Sequence, residues 1–283
     1  MTGLRLLALT ALAIAMFAAN SLLTRAALAD GAIGAGQFGL VRLAAGTLML
    51  AGLVAVTKQR PKIFSAGRVP AVLGLWAYMV GFSIAYIWLD AGVGALILFA
   101  VVQATMFAGG LISGEDVPPS RWLGMSLATG GLVFLFLPRI GAAPEPLGAA
   151  MMVFGGIGFA IYSLVGKKST SPLSDTAVNF GLATVLMALV PWGSIDATPY
   201  TTSGVMLAVI SGAITSGVGY ALWYLLMPHL GATRAAVAQL SAPALALVGG
   251  AVFLAEPMTL GAILAAALIM LGVGIASMSR RST

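Results

Sequence analysis

Long apolar runs fill most of this 283-residue chain, and charged residues, prolines or short polar clusters break them at intervals. Each run is long enough to cross a hydrocarbon layer of about 30 Å as an α-helix. The pattern predicts ten membrane-spanning helices, at residues 4–24, 35–57, 69–89, 92–112, 122–138, 147–166, 175–192, 204–226, 233–254 and 259–278. The predicted fold class is therefore an all-α polytopic membrane protein.

The composition excludes an ordinary water-soluble domain. The chain is 60% hydrophobic and 8% charged, whereas soluble domains carry about 25% charged residues. Its 36 glycines suit a helical membrane protein, because small residues let helices approach closely in lipid. Cysteine is absent from the sequence, which excludes a disulfide framework and thiol chemistry.

The positions of the 14 lysines and arginines predict the orientation of the chain. With a cytoplasmic N-terminus, eleven of them fall on the inner side, Arg25 and Arg139 fall on the outer side, and Arg42 lies within a span. The positive-inside rule then places both termini in the cytoplasm. The net charge of +6 is explained by this asymmetry, so we expect no nucleic-acid partner.

A sequence repeat divides the chain into two halves. The segment "FAANSLLTR" at 17–25 returns as "FAIYSLVGK" at 159–167. Three further matches keep the same order: "FGL" at 38–40 and 180–182, "GFSIAY" at 81–86 and "GYALWY" at 219–224, and a G-x5-E-x15-G pattern that starts at Gly109 and Gly250. Together they predict an internal duplication with repeats at 1–141 and 142–283.

The number of spans in each repeat fixes how the two halves are related. Five spans are an odd number, so the second half enters the membrane from the opposite side and the repeats are inverted. Inverted repeats are typical of secondary transporters, in which a site between the halves opens to each side in turn. Arg5 and "ALAD" at 27–30 imitate a secretory signal, but the repeat predicts that the first span is kept as part of the fold.

The segment "GYALWYLLMPHLGATRAAVAQLSAPALALVGGAVFLAEPMTLG" at 219–261 resembles the EamA family of the drug/metabolite transporter superfamily. It has the aromatic pair, the Ala-rich start of the ninth helix, the mid-helix Pro243 and the Glu-Pro pair of that family. Arg42, in "FGLVRLAAG", matches an arginine common in the family's second helix. The first half departs from the signature, with Val102 at the position of Pro243 and Asp116 at that of Pro257.

The resemblance implies a metabolite or drug exporter of the inner membrane, most similar to the YddG-type amino-acid exporters. It implies a small-molecule substrate, no cofactor and no need for oligomerisation. The ending "VGKKS" at 165–169 imitates a phosphate loop, but Ile161 stands where that motif needs its first glycine. ATP-driven transport is therefore not expected.

Polar groups within the spans are the candidate substrate ligands, because they are costly in lipid unless they face a cavity or one another. Arg42 fits two interpretations: a cation for a substrate carboxylate, or a structural arginine bonded to helix-end carbonyls. Asn20 and Tyr162 occupy the same position of the repeat, and Gln103 and Gln239 lie in the equivalent fourth and ninth spans. These two pairs are either cavity groups or interhelical hydrogen bonds.

Aromatic residues of the third span form one helical stripe, in which Tyr78 and Phe82 precede Tyr86 at intervals of four residues. With Ser83 and Tyr220, Tyr78 and Phe82 complete the predicted substrate-binding set. Pro243 is the predicted conformational residue, because a proline removes a helix hydrogen bond. The aromatic residues close to span ends are predicted to form an interfacial belt; these are Tyr86, Trp88, Trp223 and Tyr224.

No acidic residue falls in the middle of a predicted span, whereas a proton antiporter for cationic drugs normally needs a buried carboxylate. We therefore expect small neutral or zwitterionic substrates, amino acids above all, with drug antiport as the alternative. The remote alternative is an intramembrane enzyme. It would need a cluster of catalytic groups, and the only histidine, His229, falls in a predicted short loop. We expect no metal site and no catalytic residue.

Overall fold

The computed structural model describes residues 3–65, 67–112, 114, 117–135, 144–167, 169–192, 196–239 and 241–278, with backbone only at 227, 228 and 231–237. Over these residues the secondary structure is helical, without strands. The α-helices are α1 (Gly3–Leu28), α2 (Ala35–Val56), α3 (Arg68–Ala85), α4 (Ala91–Ile112), α5 (Pro119–Leu135), α6 (Pro146–Gly166), α7 (Pro172–Ala188), α8 (Thr202–Val209), α9 (Gly219–Gln239), α10 (Ser241–Leu254) and α11 (Leu260–Met278), and a π-helix (Ile210–Val218) joins α8 to α9.

Six helical segments of the described chain are long and apolar enough to cross a membrane. They are α1, α2, α3, α4, α6 and the segment Thr202–Leu226, and two shorter apolar helices follow at Ser241–Leu254 and Leu260–Ala276. The protein is a polytopic membrane protein, as the apolar runs predict.

One predicted boundary is wrong. The sequence predicts a loop at 227–232, yet α9 is helical from Gly219 to Gln239. His229 lies in this helix and is exposed, with its Nδ1 3.3 Å from the carbonyl oxygen of Leu225, one turn earlier. Proline and glycine normally signal a turn in water, but helices in membranes tolerate them because neighbouring groups can satisfy the freed backbone.

Glycines set the closest helix contacts in the bundle. A Cβ built on Gly74 of α3 would lie 2.6 Å from the carbonyl oxygen of Gly158 in α6, and one built on Gly158 would lie 2.6 Å from that of Gly74. Backbones can approach this closely only where both residues lack a side chain. α3 and α6 are therefore held face to face along the segments that carry Tyr78 and Tyr162.

The segment before α8 closes over the start of α2. Asp196 accepts a hydrogen bond from the backbone N–H of Ala35, the first residue of α2, at 3.2 Å. The Thr198 hydroxyl and backbone N–H also donate to this carboxylate, and these hydrogen bonds lower the pKa of Asp196. A carboxylate at a helix N-terminus is favoured by the helix dipole. The contact ties the connection between α1 and α2 to the second half of the chain.

Candidate functional site

The centre of the bundle holds a fully buried cation. Arg42 lies about two turns into α2, which begins at Ala35, and its side chain has no exposed surface. Its Nε and Nη2 donate to the hydroxyl oxygen of Ser216 at 3.3 and 3.2 Å, and Nη2 also donates to the Tyr78 hydroxyl at 3.2 Å. Both partners are neutral hydroxyls on other helices. One of the two sequence interpretations required Arg42 to be bonded to helix-end carbonyls, but its partners in the structure are hydroxyl groups.

One end of the guanidinium is left without a partner. Arg42 Nη1 is buried and makes no hydrogen bond in the structure. The guanidinium carbon lies 5.0 Å from the ring centre of Phe82 and 5.6 Å from that of Tyr78, so cation–π attraction compensates part of the charge. Leaving a charged donor buried and unpaired costs on the order of several kcal/mol. This atom is the clearest sign of a ligand site in the protein.

A network of hydroxyls positions the anchor of Arg42. Asn20 of α1 accepts hydrogen bonds at Oδ1 from Ser211, Thr215 and Ser216, at 2.9, 2.5 and 3.3 Å. These three hydroxyls lie on the π-helix. Ser216 thus donates to Asn20 while it accepts from Arg42, which fixes the direction of its lone pairs. The network joins α1, α2, α3 and the π-helix around the guanidinium.

Sequence reasoning missed Ser211, Thr215 and Ser216. The run "SGAITSG" at 211–217 is a visible polar interruption of an apolar span. Serine and threonine in membrane helices often bond their own backbone, so their type alone did not distinguish them. The π-helix adds a second signal, because π-helical segments are rare and concentrate at functional sites.

A second unpaired group lies beside Arg42. Ser83 of α3 is fully buried and its hydroxyl has no hydrogen-bond partner. A Cβ built on Gly39, one turn before Arg42 on α2, would lie 3.3 Å from Ser83 Oγ. The interface of α2 with α3 therefore contains two unsatisfied buried polar groups within about one helical turn.

Aromatic rings surround these polar groups. The ring of Tyr78 lies 5.0 Å from that of Phe82 and 4.9 Å from that of Phe159 in α6. Phe159 continues to Tyr162, at 6.1 Å between ring centres. The predicted residues Asn20, Arg42, Tyr78, Phe82 and Ser83 are thus brought together by α1, α2 and α3, and an aromatic path connects them to α6.

A separate hydroxyl chain lies at Tyr162. The Tyr162 hydroxyl and Thr176 Oγ1 are 3.1 Å apart, and Thr176 donates to the Tyr224 hydroxyl at 3.0 Å. The ring of Tyr224 stacks at 6.4 Å on that of Tyr220. Tyr220 therefore belongs to a second aromatic group of α7 and α9, and no hydrogen bond of the described structure joins it directly to Arg42.

Three predicted residues stand apart from the Arg42 cluster. Gln103 in α4 and Gln239 at the end of α9 are half-buried, and neither takes part in the hydrogen bonds described above. Pro243 is buried in α10. The ligand roles of both glutamines and the conformational role of Pro243 stay predictions.

The predicted aromatic belt is only partly seen. Trp88 is 41% exposed, but Tyr86 is completely buried and Trp223 is 7% exposed. Tyr86 donates to the carbonyl of Ala91 at 3.3 Å, and the ring of Trp223 lies 5.6 Å from that of Phe17. The belt prediction is wrong for these two residues because their polar atoms and rings find partners on neighbouring helices.

The described cavity of about 760 Å³ lies elsewhere, between α10 and α11. Its lining is apolar apart from Ser241, with Leu247, Val248 and Met270 among its side chains. Such a groove suits hydrocarbon and offers no polar ligand to a metabolite. We therefore place the candidate site at Arg42, where the unsatisfied polar groups of Arg42 and Ser83 lie on facing helices.

An ion cluster joins three helix ends on one face. Arg25 of α1 pairs with Glu256 at 3.2 Å and lies 3.6 Å from Asp90. Its Nη1 donates to the carbonyls of Tyr86 and Ile87, and both Glu256 oxygens accept from the N–H of Ala91 at 3.0 and 2.9 Å. The cluster holds the end of α1 to the connection of α3 with α4 and to the end of α10.

Two backbone features show that Glu256 is held in place at a cost. Ala255 has a φ of 53°, in the left-handed region that residues other than glycine rarely adopt. A side chain on Gly250 would collide with the Glu256 carboxylate.

Burial raises the pKa of Glu256, and the nearby Asp90 raises it further, although the N–H of Ala91 and the Arg25 guanidinium act in the opposite direction.

Glu256 should give the protein a pH-dependent stability. Because its pKa is higher in the folded protein than in the unfolded chain, the folded state takes up a proton first as the pH falls. The wild type should therefore gain thermal stability relative to Glu256→Gln as the pH falls toward the ordinary value of 4.5. Unfolding midpoints in detergent across this pH range test it. Asp30→Asn, at an exposed position near the same end of α1, is the control, and a constant difference between wild type and Glu256→Gln would contradict the prediction.

Apolar helices of membrane length that enclose a buried cation, hydroxyls and aromatic rings define a polytopic membrane protein with a polar interior. Comparison with known proteins gives the family. Residues 146–278 match the EamA-like transporter family, and the chain belongs to this family. The finding confirms the resemblance seen at 219–261 and makes the protein a membrane transporter.

Relatives extend over most of the chain. An uncharacterized protein of Pseudomonas aeruginosa, PA1977, is 44% identical over 255 residues, which cover 90% of this chain and 88% of the relative. An uncharacterized transporter of Archaeoglobus fulgidus is 24% identical and covers 86% of this chain and 87% of its own length. The uncharacterized transporter YwfM of Bacillus subtilis is 26% identical over 198 residues, which cover 68% of this chain and 67% of the relative.

A solved crystal structure supports the fold. It superposes with a TM-score of 0.65 at 16% sequence identity and covers 96% of this chain and 97% of that one. At this identity the similarity concerns the fold alone. The whole chain, and not only the segment matched by the family, therefore has the architecture of a known protein.

Proposed function

We propose that the protein exports small neutral or zwitterionic metabolites, with amino acids, aromatic ones included, as the preferred class, in the manner of a YddG-type exporter. The observation that carries the proposal is the unpaired Nη1 of Arg42, buried at the centre of the bundle. A substrate carboxylate supplies the acceptor that this atom lacks. Charge-assisted hydrogen bonds of arginine to carboxylates are among the strongest in proteins.

The rings around Arg42 suit an apolar or aromatic side chain. The ring centre of Tyr78 lies 5.0 Å from that of Phe82 and 4.9 Å from that of Phe159. Offset and tilted ring contacts of this kind favour a further aromatic ring. Asn20 positions the site through Ser216, and Tyr162, Tyr220, Gln103 and Gln239 are proposed to line the path on either side of it.

The proposed architecture is two inverted repeats, 1–141 and 142–283, in the inner membrane with both termini in the cytoplasm. Helix packing supports it. α2 packs on α7, α4 on α10 and α5 on α11. In the proposed repeats, each of these pairs consists of a helix and its counterpart in the other half, as expected for helices that lie beside a two-fold axis between the halves. The pairing of α3 with α6 likewise has a counterpart in the contacts of α1 with α8 and the π-helix.

Two sets of ion pairs support the proposed topology. The Arg25 cluster joins the ends of α1, α3 and α10, which are all outer ends in this topology. Arg68 at the start of α3 pairs with Asp175 at the start of α7 at 2.7 Å, and both are inner ends. In the proposed alternating-access cycle, the Arg25 cluster closes the outer side here, and rocking of the halves must open it to release substrate.

The described acidic residues favour this substrate class over cationic drugs. They are Asp30, Asp90, Glu145, Asp175, Asp196 and Glu256, and each lies in a connection or at a helix end. A cation exchanged for protons would need a carboxylate where Arg42 lies. Catalysis is likewise not proposed, because the family is one of transporters.

Transport by the purified protein in liposomes tests the proposal. A panel of labelled neutral amino acids should cross the membrane without ATP, faster than in protein-free liposomes, and the same panel with an imposed proton gradient measures coupling. Arg42→Met is the matched inactive variant. Transport of a lipophilic cation, with no amino acid moved, would instead establish the drug-antiport alternative.

A further inference from the structure

The Arg42 site offers free hydrogen-bond donors to a ligand, and one of them is charged. Arg42 Nη1 is a free donor. The Tyr78 hydroxyl accepts from Arg42, and no hydrogen bond of the described residues uses its own hydrogen. Ser83 Oγ–H is a third free donor, although its oxygen can also accept. Three donors on α2 and α3 are thus available to one ligand.

Two acceptor oxygens at the site, those of Asn20 and Ser216, are already used. Asn20 Oδ1 receives hydroxyls from Ser211, Thr215 and Ser216, which exceeds the two lone pairs of an amide oxygen. Ser216 Oγ receives two N–H groups of Arg42. Ser83 Oγ, Ser211 Oγ and Thr215 Oγ1 can still accept a hydrogen bond, but they are neutral hydroxyls, and each acidic residue that the structure describes lies in a connection or at a helix end. An ammonium group would therefore find no counter-charge among the described residues of the cluster.

The charge at the site is also unbalanced. Arg42 takes part in none of the ion pairs among the described residues. A zwitterion that places its carboxylate on Arg42 leaves a net charge of +1 in a buried site and brings a second cation close to the first. A monoanion leaves the site neutral. Charges taken out of water are costly unless they are paired, so the monoanion is the better electrostatic match.

We infer that the site recognises the carboxylate of its substrate and not the ammonium group, so that monocarboxylates with an apolar or aromatic side chain are substrates alongside the corresponding amino acids. The inference rests on the proposed function, because it concerns the same site. It predicts that removal of the α-ammonium group is tolerated and that neutralisation of the carboxylate is not.

Three ligands with the same phenyl ring separate the two recognition elements. Phenylalanine carries both groups, 3-phenylpropanoate carries only the carboxylate, and phenylalanine amide carries only the ammonium group. Binding to the purified full-length protein in detergent is measured by titration of the thermal unfolding midpoint at a pH where the amide is cationic. We expect 3-phenylpropanoate to bind at least as tightly as phenylalanine, and the amide to bind at least about tenfold more weakly, since a buried site left with an unpaired donor rejects the analogue.

Each outcome supports or overturns a defined claim. Equal binding of the amide and phenylalanine, or binding of phenylalanine without 3-phenylpropanoate, overturns the inference while the amino-acid function stands. Binding of 3-phenylpropanoate without phenylalanine supports the inference and overturns the amino-acid function. If none of the three binds, both fall. Arg42→Met and Arg42→Lys serve as controls after gel filtration confirms that they are folded: the first should lose the preference for the carboxylate, and the second should retain part of it because it keeps the charge without the planar fork.

Discussion

Arg42→Met is expected to abolish amino-acid transport and to leave the thermal stability of the protein unchanged or higher. Loss of one partner of a buried, hydrogen-bonded charge pair costs about 3 kcal/mol, or on the order of 100-fold in substrate affinity. Arg42 has no counter-ion among the described residues, and its Nη1 is unpaired. Its replacement by an apolar side chain of similar length therefore removes a buried charge that costs stability without a bound substrate.

The pairing of these two effects separates a ligand-binding arginine from a structural one. Liposome uptake and the unfolding midpoint in detergent are measured on the same preparations of wild type, Arg42→Met and Arg42→Lys. A structural arginine would instead lower the midpoint by several degrees when replaced, because Ser216 and Tyr78 would lose a required donor. That result, with transport reduced only in proportion to folded protein, would assign Arg42 to the scaffold.

Gly158→Ala is expected to destabilise the bundle by forcing α3 and α6 apart. The new Cβ would lie 2.6 Å from the carbonyl oxygen of Gly74 and 2.8 Å from the backbone nitrogen of Tyr78. Backbone atoms cannot yield as a flexible side chain can, so α3 and α6 must separate. Overpacking of this kind costs roughly 1–3 kcal/mol. Separation of α3 from α6 also shifts Tyr78, so the transport rate should fall even when it is expressed per amount of folded protein.

A glycine in open space provides the matched control. Gly52 of α2 would place a Cβ with nothing within 4 Å, and alanine is the better helix former by about 1 kcal/mol. Gly52→Ala should therefore keep or slightly raise the unfolding midpoint and leave the transport rate unchanged. Equal effects of the two substitutions, measured by thermal unfolding and liposome uptake, would mean that the close approach of α3 to α6 does not govern stability.

The first seven predicted spans each correspond to a helix, and their success has a simple cause. A segment in lipid must satisfy its backbone groups within itself, so a long apolar run leaves the helix as its main solution. A break was predicted at 227–232, but α9 is helical through this segment, from Gly219 to Gln239. Pro228 and Gly231 are turn signals in water, but that rule loses force where the surrounding helices satisfy the backbone.

The site was predictable in its charged and aromatic parts only. Arg42 stood out because a cation within an apolar span is rare, and Tyr78 and Phe82 share a helical stripe. The hydroxyls of Ser211, Thr215 and Ser216 could not be assigned from sequence, since their contact with Asn20 depends on the π-helix and spans about 190 residues of chain, with separations of 191, 195 and 196. Such contacts are set by packing between distant helices. The binding roles of all these residues stay predictions until transport is measured.

An experimental structure with bound phenylalanine tests the central claim most directly, because that claim concerns one atom. We predict a carboxylate oxygen of the ligand within hydrogen-bond distance, about 3 Å, of Arg42 Nη1, with the phenyl ring against Tyr78 or Phe82. A ligand bound elsewhere, with Arg42 Nη1 either still unpaired or satisfied by a protein group, would contradict the account.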